Sequence, residues 1–64
     1  LETDRFIDNG LLSGQTTLYL IHGKGTGALR KAVHASLRRN KAVKSFRLGN
    51  YGEGESGVTV VELK

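Results

Sequence analysis

From Leu1 to Leu12 the chain is amphipathic: Thr3, Phe6, Ile7, Gly10 and Leu11 fall in one broad arc at about 100° per residue, and Gly14 continues it. A helix is expected there, with Leu1 and Leu12 lying off the arc. Glu2, Asp4 and Asp8 populate its early turns, where the helix dipole favours acids, and Gly14 is a stop signal. Thr17-Leu18-Tyr19-Leu20-Ile21 is β-branched, aromatic and almost continuously apolar. That predicts a strand covered on both faces, with Tyr19 as a packing residue. From Ala28 to about Asn40 the period returns to that of a helix. Leu29, Val33 and Leu37, supported by Ala32 and Ser36, make an apolar stripe, opposite Arg30, Lys31, His34 and Arg38. This helix is expected to turn its stripe to a sheet and its basic side, His34 included, to solvent, with Thr26 as N-cap. Val43–Leu48 reads as a second strand, with Val43 and either Phe46 or Leu48 inward on a pattern that does not alternate cleanly. Val58–Leu63, rich in valine, reads as a third, and Gly49–Gly57, with four glycines in nine residues, as the hairpin loop between them.

The order α-β-α-β-β, without internal repeat, predicts an α/β two-layer sandwich over residues 1–64, both helices covering one small mixed sheet. The first two strands are expected to run parallel through a right-handed crossover, and the last two to form an antiparallel hairpin. Sixty-four residues leave room for one domain with a thin core, since so small a chain buries only roughly 60% of its unfolded surface. The absence of cysteine excludes a disulfide framework and a thiolate metal site. No apolar run is long enough to span a bilayer and no signal peptide is visible, so a soluble cytoplasmic protein without a membrane partner is expected.

Charge sharpens the picture. The net charge is +4, but eight basic residues (Lys24, Arg30, Lys31, Arg38, Arg39, Lys41, Lys44 and Arg47) lie between His22 and Leu48, where there is no acid. Such a block is an electrostatic footprint for a polyanion, though it also fits a solvated basic face. The block contains His22-Gly23-Lys24-Gly25-Thr26-Gly27, placed between the first strand and the second helix. Backbone N–H groups at such a helix start are left free to meet an anion, and glycines let a phosphate approach the main chain. Lys24 and Arg30 add cations, and His22 a group that titrates near neutral pH. The loop is neither a Walker loop nor a dinucleotide fingerprint, and a tight turn without a ligand fits it about equally well. Tyr51, at the tip of the second glycine loop, is a candidate for stacking on a base, and a loop tyrosine without a partner fits it equally well; Glu53 and Glu55 are two carboxylates without further ligands, so no metal site is assigned.

The run from His22 to Arg30, with Val43-Lys44-Ser45-Phe46-Arg47, Tyr51-Gly52-Glu53-Gly54 and Gly57–Leu63, resembles the Smr (small MutS-related) domain over the whole chain, and most closely the form at the C-terminus of bacterial MutS2 proteins. The resemblance implies a β-α-β-α-β-β fold akin to the C-terminal domain of translation initiation factor 3. The first of those strands, with its short Leu-Asp-Leu-His or Leu-Asp-Leu-Arg motif, is expected to precede Leu1 and to carry the acidic partner of His22. The resemblance further implies nucleic-acid binding and, in many members, a nuclease that nicks DNA or cuts RNA. On this basis His22 and Lys24 are the expected catalytic residues. Gly23, Gly25, Thr26, Gly27, Arg30, Lys31, Arg38, Lys41 and Tyr51 are expected to meet the phosphate or the nucleic acid. The activity expected is a sequence-nonspecific DNA-nicking endonuclease acting in suppression of homologous recombination. The domain is expected to need no cofactor of its own beyond a divalent metal such as Mg, with ATP used only upstream. Partners expected are duplex or branched DNA or ribosomal RNA, with the full-length protein a homodimer. The alternatives are a non-catalytic rRNA-binding module acting on collided ribosomes, and a protein-interaction domain whose basic face meets an acidic partner.

Overall fold

The structure, a computed structural model, describes residues 3–50, 52 and 55–64. Helix α1 (Thr3–Leu12) is followed by strand β1 (Thr17–Ile21), helix α2 (Ala28–Arg39), and strands β2 (Val43–Leu48) and β3 (Val58–Leu63), with one 3-10 turn at Glu55–Gly57 before β3. The sequence thus predicts the elements in order and, within the described residues, close to their bounds. Leu1 and Glu2, at the start of the expected first helix, and Tyr51, Glu53 and Gly54 lie outside the described residues.

α1 ends as its sequence requires. Gly14 takes φ +74°, its N–H donates to the Leu11 carbonyl at 3.0 Å, and the Gln15 N–H reaches back to the Gly10 carbonyl at 3.0 Å. These two bonds make a Schellman cap, which satisfies carbonyls the helix leaves open. No neighbour lies within 4 Å of where a Gly14 side chain would begin, so backbone conformation alone opposes a substitution. Gly14→Ala is therefore expected to destabilise the chain by about 1–2 kcal/mol, read as a lower urea midpoint at unchanged slope.

The sheet order is β1-β3-β2, with β3 antiparallel to both neighbours. β1 and β2 do run parallel, as expected of a β-α-β unit, but β3 lies between them. The described sheet therefore has antiparallel pairs alone, not the mixed pairing expected. Both helices cover one face. Ile7 from α1, Val33 and Leu37 from α2, Leu18 from β1, and Val61 and Leu63 from β3 form the core, with Leu20, Ala42, Val43 and Phe46 against it. α1 approaches β1 closely because Gly10 has no side chain: a Cβ there would lie 2.5 Å from Leu18 Cδ1. Asn40 joins the helices, donating from Nδ2 to Asp4 Oδ1 at 3.2 Å while its Oδ1 accepts the Ala42 N–H at 2.9 Å.

Three packing expectations change. β1 is covered on one face only: Leu18 is buried, whereas Tyr19 and Ile21, on the other face, are 54% and 80% exposed. Leu29 is 47% exposed and Ala32 exposed, so the buried part of the α2 stripe is Val33 and Leu37. The irregular alternation of β2 has a cause. The register with β3 shifts between Val43 and Ser45, and that bulge puts both Val43 and Phe46 against the core while Leu48 stays exposed.

Candidate nucleic-acid interface

β1 delivers the chain to the glycine loop beside the start of β3, where Ile21 pairs with Val58. The loop is pinned from below: the His22 and Gly23 N–H groups both donate to the Gly57 carbonyl, at 3.1 and 2.9 Å. Those two amides are therefore spent within the fold. Gly23, Gly25 and Gly27 take φ +75°, +39° and +88°, a path that explains the glycine spacing. Gly27, not Thr26, is the N-cap of α2; the Thr26 hydroxyl instead accepts the Ala28 N–H at 3.4 Å, one residue short of a side-chain cap. The first turn of α2 has no preceding carbonyls to bond, and Lys31 is the first residue to donate back, to the Gly27 carbonyl at 3.0 Å.

Two cations stand at this loop. Arg30 folds back on it, its Nη2 lying 3.1 Å from where a Gly27 Cβ would be. Lys24 passes over Gly57 and meets Glu55 Oε2 at 3.4 Å. Both side chains of that pair are more than half exposed, so it holds Lys24 weakly and leaves it open to exchange. Glu55 carries the one positive φ outside glycine among the described residues, +51°, a conformation that brings this turn up to the loop. Lys31 is exposed on α2. Arg38 sits two turns beyond Arg30, its guanidinium 5.8 Å from the centre of the Phe46 ring. Lys41 is not brought to the loop; it lies past the far end of α2, where Lys64 donates to the Ala42 carbonyl. Tyr51 is outside the described residues.

The histidines supply what periodicity missed. His22 Nδ1 lies 2.8 Å from the Gly23 carbonyl oxygen and its Nε2 lies 2.8 Å from Thr59 Oγ1. His34 is not a solvated surface residue. Its Nε2 lies 2.7 Å from that same hydroxyl, and its ring packs on Phe46 with centroids 4.9 Å apart. Burial, then the charges of His22, Arg38 and Arg30, hold its pKa below the ordinary histidine value. Thr59 is fully buried in β3. A threonine within the valine-rich run Val58–Val61 was the one local signal, since a buried hydroxyl needs a partner. Among the described residues no three His, Asp or Glu side chains stand together as metal ligands. No helix is long and apolar enough to cross a membrane.

The family model of the Smr domain matches residues 1–64. The protein named Endonuclease MutS2 in Pelotomaculum thermopropionicum is 57% identical over 63 residues, 98% of this chain and 8% of that protein. Its namesake in Caldicellulosiruptor bescii is 58% identical over 64 residues, 100% of this chain and again 8% of that protein. The chain thus spans under a tenth of the length of these curated relatives. Among solved structures, the Smr domain of Thermus thermophilus MutS2 superposes with a TM-score of 0.94 at 51% identity, over 98% of this chain and 79% of that one. YdaL, a stand-alone small MutS-related protein from Escherichia coli, superposes with a TM-score of 0.79 at 26% identity, over 94% of this chain and 50% of that one.

Proposed function

This chain belongs to the Smr domain family, and from that premise we propose that it is a nucleic-acid-binding module that nicks the DNA backbone without regard to sequence, in the service of suppressing homologous recombination. One observation carries the reading. A glycine loop at a helix start has a histidine at its base and Lys24 and Arg30 at its rim, inside a stretch from His22 to Leu48 that contains no acid. Relatives named as endonucleases support the choice of chemistry.

In this reading the scissile phosphate lies on the loop at Gly25, Thr26 and Gly27. Lys24 exchanges its exposed partner Glu55 for a phosphate oxygen, and Arg30 meets a second oxygen. Charge that develops on the phosphoryl oxygens is then stabilised by cations already in place. His22 transfers the proton through Nδ1, which at rest bonds the exposed Gly23 carbonyl and in this reading turns to the substrate when the phosphate seats, as base toward the attacking water or as acid toward the leaving oxygen. Lys31 and Arg38 along α2, and Lys41 beyond its end, hold flanking backbone and read no bases. No cofactor is assigned to this chain; a divalent ion such as Mg2+ carried in with the nucleic acid is tested by chelation.

The experiment is relaxation of supercoiled plasmid by the purified protein, with and without EDTA, beside a binding isotherm for the same DNA. Relaxation supports the nuclease. Tight binding with no relaxation overturns it and leaves a clamp on a polyanion, for which ribosomal RNA is the next ligand to titrate. Binding itself has an internal check. Arg30→Ala is expected to weaken affinity and to reduce the slope of log K against log salt by about one, because one phosphate contact is lost.

A further inference from the structure

His22 and His34 meet on a single hydroxyl, and that fixes more than their positions. The Gly23 carbonyl can only accept, so the bond at His22 Nδ1 requires a proton on that nitrogen. When His22 is neutral its Nε2 then carries a lone pair, and the Thr59 O–H must donate to it. The Thr59 oxygen is thereby left to accept, and His34 must present Nε2–H to it. The bonds run in one direction, from His34 through Thr59 to His22. When His22 is an imidazolium its Nε2–H donates to Thr59, whose own proton must turn toward His34. His34 is then neutral and carries its proton on Nδ1.

From this geometry we infer that His34 is a positioning residue for His22: the two rings and the Thr59 hydroxyl form a proton relay in which the protonation of one ring sets the tautomer of the other. The balance is simple. A proton enters at His34 Nδ1, His34 Nε2–H passes to Thr59, and the Thr59 proton passes to His22 Nε2. One proton is gained, the positive charge appears on His22, and only N–H and O–H bonds change. Thr59 holds His34 Nε2, so the proton enters at the other ring nitrogen, Nδ1, of a side chain that is only partly buried. A doubly charged pair is opposed. Two N–H groups would point into one oxygen, the buried Thr59 O–H would lose its acceptor, and like charges would stand 6.1 Å apart. The groups around His34 agree. Arg30 and Arg38 face it from its own helix and His22 from the loop, while β2 presents the uncharged Phe46 ring and β3 the uncharged Thr59. All three charges and burial favour neutral His34.

The inference rests on the proposed nuclease only for the use made of the proton; the relay itself is read without nucleic acid. The test is a titration of the histidine ring nitrogens by 15N NMR on the purified protein, from about pH 8 to about pH 5. The neutral protein should show His22 protonated on Nδ1 and His34 on Nε2. As His22 gains charge, the ring proton of neutral His34 should move from Nε2 to Nδ1. Thr59→Val keeps the shape of the side chain and should abolish that switch while the amide spectrum stays folded, and Thr59→Ser should restore it. A His34 tautomer that stays on Nε2 while His22 titrates, or a switch that survives Thr59→Val, overturns the relay. A protein that shows the switch and does not relax plasmid retains the relay and loses the nuclease. One that relaxes plasmid without the switch does the reverse.

Discussion

His22→Ala should lower the rate of plasmid nicking by roughly 10²–10⁴-fold, the usual contribution of a positioned acid or base, while affinity for the same DNA stays close to that of the unaltered protein. The separation of the two effects follows from where the ring lies. Its nitrogens face the Gly23 carbonyl and the Thr59 hydroxyl, at 2.8 Å each, so the imidazole sits at the base of the loop with Lys24 and Arg30 at the rim. The cations that supply most of the salt-dependent affinity are untouched by the substitution. The main-chain bonds from His22 and Gly23 to Gly57 do not involve the side chain, and Thr59 keeps His34 as a partner, so the loop keeps its anchor. The measurement is initial nicking rate and dissociation constant on one DNA at one salt concentration. Unchanged nicking removes His22 from the chemistry. A parallel collapse of binding would mean that the ring holds the loop and does not move a proton.

The second large effect is on folding. Leu37→Ala should cost about 2–5 kcal/mol, because a fully buried leucine leaves a cavity that its neighbours close only in part. The site fits that case: Leu37 is 1% exposed and packs among Ile7, Val33 and Val61, each at 0%. Chains of this length are stabilised by roughly 3–10 kcal/mol in all, so one such change removes a large share. The midpoint of thermal unfolding should fall by at least about 10 °C. Leu29→Ala is the matched control. It lies on the same helix and the same apolar stripe eight residues earlier, yet is 47% exposed, and should stay within about 0.5 kcal/mol of the parent. Equal losses at the two positions would mean that the N-terminal turn of α2 is packed in solution, as its periodicity suggests.

That pair of leucines shows where reading the sequence succeeds and fails. Periodicity identifies a helix from Ala28 and the side of it that is apolar, since both depend on residues within a few positions of one another. It gives Leu29 and Leu37 equal standing, because what packs beneath each turn of a helix is not a local property. Tyr19 and Ile21 make the same point in a strand: an unbroken apolar run fits burial on both faces, yet both helices pack on one side and leave these two exposed.

The candidate site divides in the same way. The glycine loop, its cations and its histidine lie in one stretch of nine residues, His22 to Arg30, and the positive φ values that need glycine are set within that stretch. Residues adjacent in the chain must be adjacent in space, so sequence alone determined the loop, the helix it opens and the excess of positive charge around both. Tertiary structure decided what lies beneath. β3 enters between β1 and β2, which carries Gly57 under the loop and sets Thr59 between two histidines that sequence separates from it by 37 and 25 positions. No local preference encodes that meeting. It exists because Thr59 lies on the helix-covered face of the central strand, with Val61 and Leu63, and a hydroxyl buried there must find its partners across the fold.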